Sequence, residues 1–250
     1  MRMVALLATA ILGLSSVGAQ AGCKDHAGSG VDWTGCTKKL LVLRSATLDG
    51  AKLDGANLTS TDLGEANLDG ANLDGADLSY ASLKAASLKN ASMVKTAGNR
   101  TMLVGADLTG ANMQAIELFR ADLSKANLTG ADLSRSSLPR ALFTGANLTG
   151  ASLEKSDVIR SNFDDADLTG SNLNYAIVAR ASFKNAKLAG SNWSNAYLYR
   201  SSLVGADLSG VTGLTTSQVA LACGDELTKL PAGVEAPDPW PCVIQDEAEE

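Results

Sequence analysis

The chain has 250 residues, a formal net charge of −6, four cysteines and a single histidine, His26. One histidine supplies neither a catalytic triad nor, with these cysteine spacings, a zinc-type ligand set. No phosphate loop or dinucleotide fingerprint is present, so an enzyme is the class with least support, and no metal or cofactor is expected.

Residues 1–21 read as an export signal. Arg2 gives the positive start, Met3 to Leu14 the apolar run, and Ala19-Gln20-Ala21 an A-x-A cleavage site before Gly22. The run is too short to span a bilayer, and no later segment is apolar enough to do so. Cleavage after Ala21 predicts a periplasmic or secreted protein. A lipoprotein anchored at Cys23 is the alternative; Gln20, where such motifs carry Leu, counts against it. Residues 22–42, with Cys23, Trp33 and Cys36, read as an N-terminal cap.

From Leu43 to Leu208 every fifth residue is apolar in one register, Gly98 excepted. Leu fills most of these central slots, with Met93, Met113, Phe143, Val158, Phe163, Val178, Phe183 and Trp193 in others. Two residues earlier comes a small residue, usually Ala or Ser, and between them often Asp, Asn or Ser, as in Ala106-Asp107-Leu108-Thr109-Gly110. Period five fits neither a helix nor an ordinary strand. Sustained this long, it signals a stacked repeat in which no unit buries its apolar residue alone. A second period of twenty runs through Gly50, Gly70, Gly110, Gly130, Gly150, Gly170, Gly190 and Gly210, with Asn90 in the gap. Phe143, Phe163 and Phe183 share it, as do Arg100, Arg120, Arg140, Arg160, Arg180 and Arg200. Twenty residues per coil means four five-residue sides, with the Arg and Gly columns on opposite faces. At the strand spacing, residues 43–210 make about eight coils and a rod on the order of 40 Å long.

This pattern of a small residue, Asp or Asn, Leu and two variable positions resembles the pentapeptide-repeat family over residues 43–210. The resemblance implies an all-β, right-handed quadrilateral β-helix with the central residue and the preceding Ala pointing inward. Departures are Ile116 in a small slot, Trp193 as an oversized central residue, and Gly98. An unfilled gap at Gly98 would cost roughly 2–5 kcal/mol, so residues 95–99 either bulge out or form a tolerated local defect. The six Asn at positions 72, 112, 127, 147, 172 and 192 are expected to bond within the turns.

Residues 211–245 read as a C-terminal cap. Thr215-Thr216-Ser217-Gln218 opens a short helix carrying Val219, Leu221 and Ala222, with Gly224 as its stop, followed by a Pro-rich loop. The stretch from Ala222 to Trp240 resembles endings of bacterial pentapeptide-repeat proteins, and Val31-Asp32-Trp33 with Cys36 resembles their N-terminal segments. Residues 246–250 form an acidic tail expected to be disordered. Cys23 and Cys36 precede the repeats while Cys223 and Cys242 follow them. An exported chain with an even count suggests disulfides, and four cysteines allow three connectivities. Pairing within each end is the simplest.

The arginine column is the sharpest functional clue. Guanidinium groups one coil apart repel by roughly 0.8 kcal/mol before screening, and such an array suits phosphate, sulfate or carboxylate. An anionic polymer or acidic protein surface in the cell envelope is the expected partner. Phe119 and Tyr199 are placed to stack against a ligand, and Lys125, Arg135 and Lys155 to widen the basic face. Coil duplication alone would also produce the column, and Glu117, Asp122 and Asp157 offer it ion pairs. A threonine column at 109, 129, 149 and 169 suggests ice binding, but it is short and broken by Ala189. The family resemblance also implies a DNA-mimic rod that binds a type II topoisomerase such as gyrase. That alternative needs a cytosolic protein with an acidic face. Here residues 22–222 are neutral, and the net negative charge lies in residues 223–250.

Overall fold

The computed structural model of the protein describes residues 22–238 and 240. The expected export signal, Cys242 and the acidic tail lie outside the described residues. Between Asp32 and Lys229 the backbone is one repeat solenoid. Parallel bridges join Asp32 to Lys52, Thr37 to Asn57, Val42 to Asp62 and Thr47 to Asn67, and so on in steps of twenty. Four bridged positions therefore occur per twenty residues. The ladder starts at Asp32 rather than Leu43, and beyond residue 210 it continues from Ser202 to Cys223 and from Asp207 to Lys229, in steps slightly longer than twenty. Each side contributes a single bridged residue rather than an extended strand, because tight turns occupy the other positions.

The turn explains the five-residue unit. In one turn the Leu48 carbonyl accepts from the Ala51 N–H at 3.0 Å, and the third residue, Gly50, has φ +62°. This is the arrangement of a type II turn, which requires that sign of φ at its third position. The bridged Asp or Asn completes it by accepting the N–H two residues on, as Asn127 does from Thr129 and Asp132 from Ser134. All six Asn expected to bond within turns do so. Partial burial pushes the carboxyls of Asp107, Asp132 and Asp167 upward, but hydrogen bonds from Thr109, from Gln114 and Ser134, and from Thr169 hold them below the usual carboxylate value.

The central and small slots form a continuous buried core. Where the small slot holds a hydroxyl, it donates to a nearby carbonyl: Thr96 to Leu73, Thr101 to Leu78, Ser161 to Leu138. Among the described residues, only the buried hydroxyls of Ser136 and Ser171 find no acceptor. Phe143, Phe163 and Phe183 stack face to face, with ring centroids 4.6 and 5.0 Å apart, which measures the rise per coil. Trp193 caps the stack edge-on at 5.1 Å. Gly98 neither bulges nor breaks the register: Ala97 bridges both Asp77 and Glu117. A Cβ at Gly98 would lie 2.4 Å from Leu118 Cδ2 and 2.8 Å from Thr101 Oγ1. The space is therefore already filled, by the central residue of the next coil.

Both ends of the core are covered. At the N-terminal end Cys23 and Cys36 form a disulfide. The Asp25 carbonyl accepts from the Trp33 indole, and Lys38 Nζ sits 3.8 Å from the Trp33 ring centroid. Burial lowers the Lys38 pKa against the opposing pull of Asp25. At the other end, α1 (Thr216–Val219) is capped by Thr215, with Gln218 closing a capping box. The Gln218 amide also donates to the Trp193 and Ala196 carbonyls, tying α1 to the last coils. Val219 and Ala222 are buried and Leu221 is 42% exposed, and of the three only Val219 lies on the helix. α1 ends at Ala220, before Gly224, which instead receives the Trp240 ring. Cys223 is disulfide-bonded.

Candidate functional site

The sequence period places the six arginines on one corner, and the backbone bonds confirm the stacking. The N–H of Arg100 donates to Phe119 O, that of Arg120 to Pro139 O, Arg140 to Ile159 O, Arg160 to Ala179 O, Arg180 to Tyr199 O and Arg200 to Leu221 O. Each arginine thus lies directly under the corner residue of the next coil. At the coil rise, five intervals span about 24 Å. All six arginines are exposed. All six also occupy the left-handed turn position, with φ between 55° and 60°, which costs a residue other than glycine on the order of 1 kcal/mol. Ten residues away, the opposite corner carries glycine at this position in Gly110, Gly130, Gly150 and Gly170.

The column's charge is not spent on the protein itself. Among the described residues none of the six arginines forms an ion pair, and the pairs expected from Glu117, Asp122 and Asp157 are absent. Two of these carboxylates are engaged in their own turns, Asp122 on Ser124 N–H and Asp157 on Ile159 N–H. The lysines behave differently. Lys52, Lys89, Lys187 and Lys229 pair with Asp32, Asp107, Asp167 and Asp207 across coils, and Lys155 pairs with Glu154 beside it. Among the described residues the one arginine in an ion pair, Arg44, lies outside the column and faces Asp62 and Glu65. Phe119 and Tyr199 do stack, but on their own arginines: Arg120 and Arg200 lie 5.3 and 5.5 Å from the respective ring centroids.

Other expected contributors fall elsewhere. Lys125 and Arg135 are at the two adjacent corners, one side away in each direction. Arg135 and Lys155 line a shallow recess with Gln114, Ser134 and Glu154. The hydroxyls of Thr109, Thr129 and Thr149 turn back onto Asp107, Asn127 and Asn147, so the threonine column does not present a free array. The residues that the sequence reading missed are Pro139, Ile159 and Ala179, which complete the lane begun by Phe119 and ended by Tyr199. The signal was available: they recur at period twenty, one position before Arg140, Arg160 and Arg180. No group of three or more potential metal ligands occurs among the described residues, and no helix there is long and apolar enough to cross a membrane.

No curated protein matches the chain in sequence. In structure it is similar to HetL, a pentapeptide-repeat protein involved in heterocyst differentiation regulation from the cyanobacterium Nostoc sp. strain PCC 7120. That match has 29% identity and a TM-score of 0.67, and covers 80% of this chain and 89% of HetL. It also resembles QnrB1, a plasmid-mediated fluoroquinolone resistance protein, at 16% identity and a TM-score of 0.52, over 76% of this chain and 94% of that one; this likeness shows the fold alone. The family model described as pentapeptide repeats matches eight copies, over residues 42–79, 76–114, 116–158, 161–186 and 179–212. With the five-residue register and the twenty-residue ladder, that match makes this chain a member of the pentapeptide-repeat family.

Proposed function

We propose that the protein is an exported, non-catalytic binding rod, a right-handed quadrilateral β-helix whose bridge ladder runs from Asp32 to Lys229, that engages an anionic partner through Arg100, Arg120, Arg140, Arg160, Arg180 and Arg200. One observation carries the reading. Carboxylates pair with lysines on other faces, while six stacked guanidiniums are left without one. Repeat duplication explains why the arginines align; it does not explain why the acids avoid them. The unpaired stack stores like-charge repulsion that an anion would relieve. Export rests on residues 1–21 and on the cysteines at both ends, and implies a partner in the periplasm or outside the cell; lipoprotein anchoring at Cys23 is incompatible with the Cys23–Cys36 disulfide, which occupies the thiol a lipid would need. A topoisomerase-binding DNA mimic would present carboxylates where this rod presents guanidiniums. The fold itself does not choose between ligands.

The test is binding to sulfated, phosphate and carboxylate polymers, titrated in salt, beside an Arg140→Glu/Arg160→Glu variant. Binding that weakens steeply with salt and is lost in the variant is the expected result. A folded wild type that binds none of them overturns the reading, as does a variant that binds equally well. Mass measurement of the protein recovered from the periplasm tests cleavage after Ala21.

A further inference from the structure

The arginine corner is amphipathic. The residue accepting each arginine N–H is Phe119, Pro139, Ile159, Ala179, Tyr199 or Leu221, so an apolar lane runs beside the cationic one from Arg120 onward; Asn99 stands beside Arg100, and Ala179 is buried. The same turn position at the opposite corner holds Thr109, Thr129, Thr149 and Thr169, and at a neighbouring corner Gln114, Ser134, Glu154 and Asn174. Phe119 and Tyr199 are each 39% exposed, and the flanking sides add Leu142 at 42%, Ile177 at 40% and Tyr197 at 47%. The Tyr197 and Tyr199 rings lie 6.2 Å apart and 10° from parallel, extending the lane onto the adjoining side.

This pairing of lanes discriminates among anions. A polyanion hydrated along its whole length has no use for exposed Phe, Ile, Leu and Tyr. A bilayer surface presents both chemistries at fixed depth, with anionic headgroups outermost and the acyl boundary just beneath, where aromatic and aliphatic side chains are favoured. The lane is continuous, because each coil is bridged to the next at the same positions. The charge balance along it also fits. Within the span of the column, its two flanking sides carry only Glu117, Asp122 and Asp157 at their bridged positions, against six arginines. We propose that this corner docks on an anionic lipid bilayer, the guanidiniums on headgroup phosphates and the apolar lane at the acyl boundary. The proposal rests on the arginine column being an anion site and names its partner.

The experiment compares three proteins sharing one N-terminus: wild type, Arg140→Glu/Arg160→Glu, and Phe119→Ser/Tyr199→Ser. Each is checked for folding by circular dichroism, then tested for co-sedimentation with phosphatidylcholine vesicles, with phosphatidylcholine/phosphatidylglycerol vesicles, and for binding to soluble polyphosphate. Wild type should partition onto the phosphatidylglycerol vesicles only. Each arginine removed should weaken this roughly fivefold, and the serine pair should weaken it roughly tenfold. The serine pair should leave polyphosphate binding unchanged. Vesicle binding indifferent to the serine pair, or polyphosphate binding without vesicle binding, overturns the bilayer proposal while the arginine site stands. Failure to bind vesicles and polyphosphate alike overturns both.

Discussion

Neutralising one arginine in the middle of the column should make the protein more stable. Arg140 has Arg120 and Arg160 one coil away on either side. At the coil rise and the dielectric of water, each neighbour repels it by about 0.9 kcal/mol. Screening at physiological salt, with a Debye length of about 8 Å, roughly halves that. Two neighbours then give about 1 kcal/mol, an upper bound because long side chains splay. Arg140→Gln keeps most of the stem and the same left-handed backbone, so the change isolates the charge. For a protein of this length that corresponds to a melting point higher by about 2–4 °C. Arg140→Lys, which keeps the charge, should not move it. In 1 M salt, where the Debye length falls to about 3 Å, the gain should fall to roughly a third. A melting point that falls in Arg140→Gln, and falls equally at high salt, would show that the arginine stems are structural cover for the coil wall. The argument from unpaired charge would then fail.

Three further outcomes follow from the interior and the turns. Phe163 is fully buried between two parallel rings, so Phe163→Ala should cost about 4 kcal/mol and Phe163→Leu, the usual occupant of the slot, about 1 kcal/mol in thermal or urea unfolding; similar losses for both would contradict the stack. Ser136→Ala removes a hydroxyl with no acceptor and should be neutral or stabilising, whereas Thr96→Ala deletes the bond to Leu73 O and should cost about 1 kcal/mol; the reverse order in a melting comparison would refute the assignment. Asp107, Asp132 and Asp167 have carboxyls held below their unfolded value, so their contribution is complete above about pH 4 and is lost as pH falls through the folded value. Asp207, held at about 2 by Ser209 and Lys229, should lose its contribution last. Replacing the first three by Asn keeps a turn acceptor that binds no proton, and should flatten the fall in melting temperature below about pH 4; parallel curves would exclude these turns as its source.

The solenoid was legible because one residue type, repeated at an interval no helix or strand uses, leaves few alternatives. What escaped the sequence is what depends on neighbours across coils. The coils begin before Leu43 because Lys38 occupies a central slot, buried by packing on Trp33 beneath the Asp25 carbonyl; a lysine there does not read as core. Gly98 looked like a gap, and it is filled by Leu118, twenty residues on. The arginine column was visible as a spacing. Its lack of carboxylate partners was not, because side chains eighteen or twenty residues apart must be placed before their contacts can be judged, as for Lys89 with Asp107 and Lys187 with Asp167. The apolar lane lay open to anyone writing the sequence in rows of twenty, and only its bonding to the arginines gave it meaning.

The uniform step between bridged residues from Asp32 to Thr212 sets a rule for how this molecule can change. Removing residues 141–160 would shorten the rod by one notch and leave every later side chain pointing where it did. Removing five residues between Phe143 and Phe163 would keep the five-residue register and hence the coil, but would pull Phe163 off Phe143. Everything downstream would then be turned through a quarter of the circumference. Arginines beyond the cut would align with what had been a neighbouring corner, and the continuous lane would become two short ones facing different directions. Length is free to drift in this chain, but phase is not, and only an insertion or deletion of a whole coil is silent to whatever reads the surface.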